Sequence, residues 1–242
     1  MRVILLVRRR PPSPEGLEDE FGRYEVEVES HERLLDALVR VSRRDDPTLA
    51  FRRSCGHGVC GSDAMVINGR ERLACKTLIR DLVDKDGDLV VVEPLRNLPV
   101  LKDLVVDQED FLAAYRAVKP FLIAPEAEGG KERPQTSRER AAYENATNCI
   151  LCGSCYSACL MLRAGKPFLG PAAVAQAFRF NEDSRDRGFE ARLEALDKPE
   201  GIWPCESKAE CTKACPRGLQ VARQINETKR RITRYKTLHE KA

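Results

Sequence analysis

Residues 149–159 read CILCGSCYSAC, a run in which four cysteines follow the spacing C-x2-C-x2-C-x3-C. This is the spacing of bacterial two-cluster iron-sulfur domains, in which the fourth cysteine of each run ligates the other cluster. The partner run is CESKAECTKACP at residues 205–216, where Lys208 stands in the place of the second cysteine. Because a corner iron without a ligand is easily lost, the pattern predicts one 4Fe-4S cluster and one 3Fe-4S cluster.

Each cluster is predicted to take ligands from both runs, because the fourth cysteine of one run binds the cluster of the other. The ligands predicted for the 4Fe-4S cluster are Cys149, Cys152, Cys155 and Cys215. The ligands predicted for the 3Fe-4S cluster are Cys159, Cys205 and Cys211.

The other three of the ten cysteines predict a third centre. Cys55 and Cys60 have the C-x4-C spacing of a plant-type 2Fe-2S site, and Cys75 follows an Asn-Gly turn that can return it to the loop. The full plant-type pattern is C-x4-C-x2-C, and its third ligand position holds Asp63 in this chain. A carboxylate is a harder anionic ligand than a thiolate, and iron accepts it. The alternative is that Asp63 faces water and the site is incomplete.

Zinc and disulfides are the competing interpretations of so many cysteines. Paired C-x2-C motifs can also form closed tetrahedral zinc sites. The successive C-x2-C-x2-C-x3 spacings and the Cys-Pro pair of this chain are instead typical of clusters. Disulfide-bonded secreted domains spread their cysteines instead of placing them in runs. The pattern therefore favours iron-sulfur clusters in a reducing compartment.

Strand patterns occur only in the first part of the chain, and they cover Val3–Val7, Tyr24–Val28, Met65–Gly69 and Leu89–Val92. One helix is predicted from His31 to Arg43 with Ser30 as its cap. This combination is typical of a β-grasp, plant-type 2Fe-2S ferredoxin domain, which we place at residues 1–105.

Helical patterns dominate the rest of the chain, and the predicted helices are Gln108–Val118, Ser137–Asn145, Pro171–Phe180, Phe189–Leu196 and Leu219–His239. Thr136 and Glu139 form a capping-box pair, and residues 119–134 have the composition of a linker. The predicted fold class is α+β, with an all-α, bacterial-type two-cluster ferredoxin domain at residues 106–242.

Composition excludes some functions. The 41 basic and 38 acidic residues give a net charge of +3, which does not favour nucleic-acid binding. The apolar stretch Val3–Val7 is too short to span a bilayer, so any membrane anchor is expected to come from a partner. The basic residues Lys229, Arg230, Arg234 and Lys236 share one face of the last predicted helix. That face suits either anionic lipid or a partner subunit, or it is solvated.

The order of the three motifs resembles the iron-sulfur subunit of succinate dehydrogenase and fumarate reductase, and the resemblance spans nearly the whole chain. The stretches that carry it are SCGHGVCGSD at 54–63, LAC at 73–75, NCILC at 148–152 and CPRG at 215–218. An aspartate at the position of Asp63 occurs in succinate dehydrogenase members that bind a 2Fe-2S cluster.

The resemblance implies a flavoprotein partner with FAD, because this chain has no flavin or nicotinamide motif for a two-electron oxidation. It also implies one or more membrane anchor subunits, with or without haem, and a quinone at the membrane interface. Electrons would pass from flavin through the 2Fe-2S, 4Fe-4S and 3Fe-4S clusters to the quinone. The expected location is peripheral, on the cytoplasmic face of a prokaryotic plasma membrane. The alternatives are the fumarate-reducing direction and a soluble ferredoxin-like carrier.

Two departures from the family pattern concern the quinone. Ubiquinone-reducing members have a proline directly after the cysteine that matches Cys159, where this chain has Leu160, and a histidine where it has Glu206. Either the membrane partners hold the quinone, as in members that use menaquinone, or Arg163, Glu206 and Lys208 form a different polar rim. The plainer interpretation of these three charges is a solvated surface or a subunit interface.

Overall fold

The computed structural model describes residues 1–10, 20–125 and 132–239. The chain divides into two compact units. The first contains Met1–Gln108 and Ile150–Ala158, and the second contains Glu109–Cys149 and Cys159–Ala242. The boundary predicted between residues 105 and 106 differs slightly from this division, which also assigns Ile150–Ala158 to the first unit.

The first unit is built on a mixed five-stranded sheet. Its strands are β1 (Arg2–Arg9), β2 (Glu20–Glu27), β3 (Ala64–Ile67), β4 (Arg70–Leu73) and β5 (Leu89–Glu93), in the order β2-β1-β5-β3-β4. β1 and β5 are parallel, and the other neighbours are antiparallel. Val3, Leu5 and Val7 of β1 are fully buried, so alternation places one face of this central strand in the core.

A helix and a short hairpin complete this unit. Helix α1 covers Leu34–Arg44, and its buried residues Leu34, Leu38 and Val41 recur at the spacing of one helix face. Strands β6 (Val100–Lys102) and β7 (Val105–Val106) form a separate antiparallel pair. The mixed sheet with a packed helix confirms the predicted ferredoxin-type α+β fold of the N-terminal part.

Helix α1 begins later than predicted. Its N-cap is Arg33, whose backbone N–H donates to Asp36 Oδ2 at 3.1 Å, and not Ser30. The carbonyl of Ser30 instead accepts from the amide of Arg80 at 3.0 Å, and that of Glu32 accepts from the amide of Ile79 at 2.9 Å. The prediction was wrong because these residues pair with a distant segment of the chain.

The second unit is helical. Its helices are α2 (Glu109–Ala117), α3 (Ser137–Ala141), α5 (Leu160–Arg163), α6 (Pro171–Asn181), α7 (Phe189–Leu196), α8 (Glu210–Lys213) and α9 (Val221–His239), whereas α4 (Ser154–Ser157) belongs to the first unit. The capping box of α3 is confirmed, with Glu139 N–H donating to Thr136 Oγ1 at 3.2 Å. The helix is nevertheless shorter than predicted, because a 3-10 turn at Glu144–Asn148 follows it.

Helix α6 forms the centre of this unit. Every residue of the helix except Arg179 is buried, and α2, α7 and α9 all pack against it. Its four small or branched residues from Ala172 to Ala175 let neighbouring helices approach closely. Part of the predicted linker at 119–134 lies outside the described residues.

Candidate metal centres

The loop after α1 brings Cys55 and Cys60 together. Their sulfurs are 3.1 Å apart, and both cysteines are free thiols. The amide of His57 donates to Cys55 Sγ at 3.3 Å. Hydrogen bonds from the amides of His57 and Val59, together with the Cys60 thiol, lower the pKa of the Cys55 thiol to about 6. The loop therefore favours the thiolate, which is the form that binds iron.

Asp63 and Cys75 complete the same site from the two ends of the β3–β4 hairpin. The amide of Cys75 donates to Asp63 Oδ2 at 2.6 Å. The hairpin turns at Asn68 and Gly69, whose φ values of 47° and 76° are those of the predicted primed turn. The structure therefore places all four predicted 2Fe-2S ligands in one region of the first unit.

The carboxylate of Asp63 has an unused oxygen. Asp63 is 2% exposed, and among the described residues its Oδ1 has no hydrogen-bond partner. A buried carboxylate oxygen without a partner is costly unless a positive group binds it. Burial, and after it the hydrogen bond and charge of Asp63, raise the pKa of the Cys75 thiol to about 12. A bound iron would relieve both penalties, so these residues fit a 2Fe-2S cluster.

The two long cysteine runs share one backbone design. In the first run, Leu151 and Gly153 have left-handed φ values of 52° and 81°, and Gly153 caps the short helix α4. In the second run, Ser207 and Ala209 have φ values of 58° and 64°, and Ala209 caps α8. The chain thus follows the same path through both loops, although the second has no glycine.

This repeated backbone bears on the predicted alignment of Lys208 with a cluster cysteine. Lys208 stands between two left-handed residues in the second loop, as Cys152 does in the first. Left-handed backbone costs about 1–2 kcal/mol per non-glycine residue, so the loop retains a strained path. The backbone therefore supports the prediction from the spacing that Lys208 occupies the position of a cluster cysteine.

The three cysteines predicted to hold the 3Fe-4S cluster line one cavity of the second unit. Cys159, Cys205 and Cys211 share its wall with Glu206 and Lys208. Burial, and after it the charges of the Cys205 and Cys159 sulfurs, raise the pKa of the Cys211 thiol to about 12. A metal cluster would replace that mutual repulsion by coordination, so the donor set fits a cluster with three thiolates.

The rim of this cavity is charged. Glu206 forms an ion pair with Lys166, and Lys208 Nζ lies 3.8 Å from Glu206 Oε2. Arg163 is exposed on α5. Lys229, which helical periodicity places on the basic face of α9, donates to the carbonyl of Cys205 at 2.7 Å. Periodicity assigns a residue to a face but not to a partner, and so it missed this tie between α9 and the cysteine loop.

The four cysteines predicted for the 4Fe-4S cluster have different local settings. In the first unit, Cys152 is buried, with its sulfur 3.4 Å from Ser154 Oγ, and Cys155 is half-buried. In the second unit, Cys149 is half-buried, and Cys215 Sγ accepts from the amide of Leu219 at 3.4 Å. All four are free thiols.

No helix within residues 1–10, 20–125 and 132–239 combines the length and hydropathy that a bilayer crossing requires.

Comparison with known proteins agrees with this geometry. Residues 4–113 match the family described as "2Fe-2S iron-sulfur cluster binding domain", and residues 145–219 match "4Fe-4S dicluster domain". The "Fumarate reductase iron-sulfur subunit" of Mycobacterium tuberculosis is 42% identical over 231 residues, which cover 94% of this chain and 92% of that protein. The "Succinate dehydrogenase iron-sulfur subunit" of Coxiella burnetii is 41% identical over 195 residues, which cover 80% and 81%.

A solved structure extends the match to the fold. A chain in the "Mycobacterium smegmatis Sdh1 complex in the apo form" superposes with a TM-score of 0.84 at 26% identity, covering 98% of this chain and 97% of that one. Fold and matched domains define an iron-sulfur protein that transfers electrons. The chain belongs to the family of iron-sulfur subunits of succinate dehydrogenase and fumarate reductase.

Proposed function

We propose that this chain is the iron-sulfur subunit of a succinate:quinone oxidoreductase that serves the tricarboxylic acid cycle and the respiratory chain. Its partners are a flavoprotein with FAD and one or more membrane anchor subunits. When bound, the clusters carry single electrons between that flavin and a quinone, ubiquinone or menaquinone. The observation that carries the proposal is the cavity in which Cys159, Cys205 and Cys211 meet beside Lys208.

The chain's own residues hold the three centres in this proposal. Cys55, Cys60, Asp63 and Cys75 bind the 2Fe-2S cluster. Cys149, Cys152, Cys155 and Cys215 bind the 4Fe-4S cluster. Cys159, Cys205 and Cys211 bind the 3Fe-4S cluster, and burial of Cys159 and Cys211 excludes water from two of these ligands. The order 2Fe-2S, 4Fe-4S, 3Fe-4S leads from the flavoprotein towards the quinone.

The charges on the cavity rim are candidates for the quinone side of the last centre. Glu206 and Lys208 line the same cavity as the three thiols, and Arg163 is exposed on the adjoining α5. The Lys166–Glu206 pair gives the rim a fixed carboxylate, and the neighbouring ammonium groups lower the pKa of Glu206. The carboxylate of Glu206 can accept a hydrogen bond from a polar ligand head, and Lys208 and Arg163 can donate one to it.

Fumarate reduction by the same assembly is the second candidate, because relatives carry both names. Purification from native membranes tests the proposal. We expect this chain to elute together with a flavoprotein and membrane subunits, and the complex to reduce quinone with succinate faster than it reduces fumarate with quinol. The reverse ratio would favour the second candidate, and a free monomer would favour a soluble carrier.

Replacing Asp63 tests its role as an iron ligand. Asp63→Ala should lower the 2Fe-2S content and alter the electron paramagnetic resonance signal of the reduced centre, because the site loses one of four ligands. Asp63→Cys should restore a full complement by supplying a thiolate.

Asp63→Asn separates this role from a purely structural one. Asparagine keeps an oxygen that accepts from the Cys75 amide, but it removes the anionic ligand. If Asp63 only anchors that amide, the asparagine variant will have the wild-type spectrum and midpoint potential.

A further inference from the structure

Gly61 brings the backbone of the 2Fe-2S loop against a cysteine of the second motif. Gly61 follows Cys60, and its φ is +71°. A β-carbon built on Gly61 would lie 2.6 Å from Cβ and 2.9 Å from Cα of Cys152, and 3.1 Å from the carbonyl oxygen of Ile150. Two of these distances are shorter than β-carbon contacts in proteins. Only glycine therefore fits at position 61, next to Cys60 in the chain and against Cys152 in space.

The other side of this contact is fixed to the sheet of the same unit. Ser157 is fully buried, and its hydroxyl donates to Glu71 Oε1 of β4 at 2.9 Å. The same hydroxyl accepts from the amide of Arg96 at 2.8 Å. Asn97 Nδ2 donates to the carbonyls of Tyr156 and Ser157, both at 2.9 Å.

These bonds limit how the structure could relieve a clash at Gly61. The neighbours of the added carbon include the Cα of Cys152 and the carbonyl oxygen of Ile150, which are main-chain atoms and not the end of a flexible side chain. The segment that contains Cys152 is tied to β4 and to residues 96–97. An added methyl group would therefore push the two loops apart.

We propose that Gly61 is a positioning residue for electron transfer between the centre that Cys60 holds and the centre that Cys152 helps to hold. This inference rests on the ligand sets proposed above. Transfer of one electron would oxidise the first centre and reduce the second. The absence of a side chain at Gly61 sets the closest approach of their protein ligands. Electron tunnelling falls exponentially with distance, so a small separation of these loops slows the transfer.

Gly61→Ala in the purified complex tests the proposal. The first readout is the magnetic coupling between the two reduced centres, seen as broadening and faster relaxation of the 2Fe-2S signal in electron paramagnetic resonance. The second readout is the rate of transfer between the centres after rapid photoreduction. We expect weaker coupling and a several-fold slower rate, with iron content unchanged.

Gly69→Ala is the matched control. Gly69 has φ +76° in the β3–β4 turn, and a β-carbon there would meet no atom within 4 Å. Alanine has the same backbone cost at both glycines but makes the close contact only at Gly61. The control should therefore keep the coupling and the rate of the wild type.

Ser157→Ala provides a second test that adds no bulk. It removes the hydroxyl that ties the Cys152 segment to Glu71 and Arg96, so it should also weaken the coupling. If Gly61→Ala does not assemble its centres, the result of Ser157→Ala decides. Wild-type coupling and rate in the variant that assembles would overturn the proposal. A wild-type complex without these two centres would instead contradict the proposed function.

Discussion

Lys208→Cys is expected to convert the proposed three-iron centre into a four-iron centre. The new thiolate would supply the ligand for the corner iron, because Lys208 stands in the second loop where Cys152 stands in the first. The left-handed residues Ser207 and Ala209 give the loop the same path as Leu151 and Gly153. A cysteine at position 208 can therefore point as Cys152 does without any rearrangement of the main chain.

The measurement is electron paramagnetic resonance of the oxidised complex after full loading with iron and sulfide. A 3Fe-4S centre is paramagnetic when oxidised, so its signal should disappear in Lys208→Cys while iron content rises by about one atom. Lys208→Ala is the control, because it removes the ammonium group without adding a ligand and should keep the three-iron signal. An undiminished oxidised-state signal in Lys208→Cys would show that the two runs are misaligned.

Arg192→Met is expected to reduce the free energy of unfolding by about 3–5 kcal/mol, because it leaves a buried carboxylate without its partner. Arg192 is fully buried, and its guanidinium binds both oxygens of Asp186, at 2.7 and 2.9 Å. The same group donates to the carbonyls of Lys119 and Phe121 at 3.2 and 2.8 Å. It thus fixes the segment after α2 to helix α7.

Denaturant titration of the full chain measures this loss. Arg223→Ala is the control, because the Arg223–Glu227 pair lies on the surface, and breaking it should cost less than about 1 kcal/mol. Adding Asp186→Asn to Arg192→Met should recover part of the loss by removing the stranded charge. Equal stability of Arg192→Met and Arg223→Ala would contradict the account of this ion pair.

Local signals gave the reliable predictions. The Thr136–Glu139 capping box and the Asn68–Gly69 turn depend on neighbours in the chain, and both are confirmed. Helix α7 has the predicted ends, Phe189–Leu196. The cysteine motifs were likewise recognisable, since ligand spacing within a loop is a local property.

Long-range contacts explain what the sequence did not reveal. The start of α1 was misplaced because residues 30–33 pair with residues 77–80. The burial of Arg192 beside Asp186 also depends on the folded chain, and no local pattern predicted it. The left-handed Ser207 and Ala209 carry no glycine signal, so only the structure shows that the backbone of the second cysteine loop follows that of the first.

The most direct test of the central claim is a redox titration of the purified complex followed by electron paramagnetic resonance, with iron and acid-labile sulfide measured on the same anaerobic sample. Three centres held by ten thiolates and one carboxylate predict three separate signals of the 2Fe-2S, 4Fe-4S and 3Fe-4S types and about nine irons per chain. Zinc in place of iron, or fewer than three centres in a fully loaded sample, would contradict it.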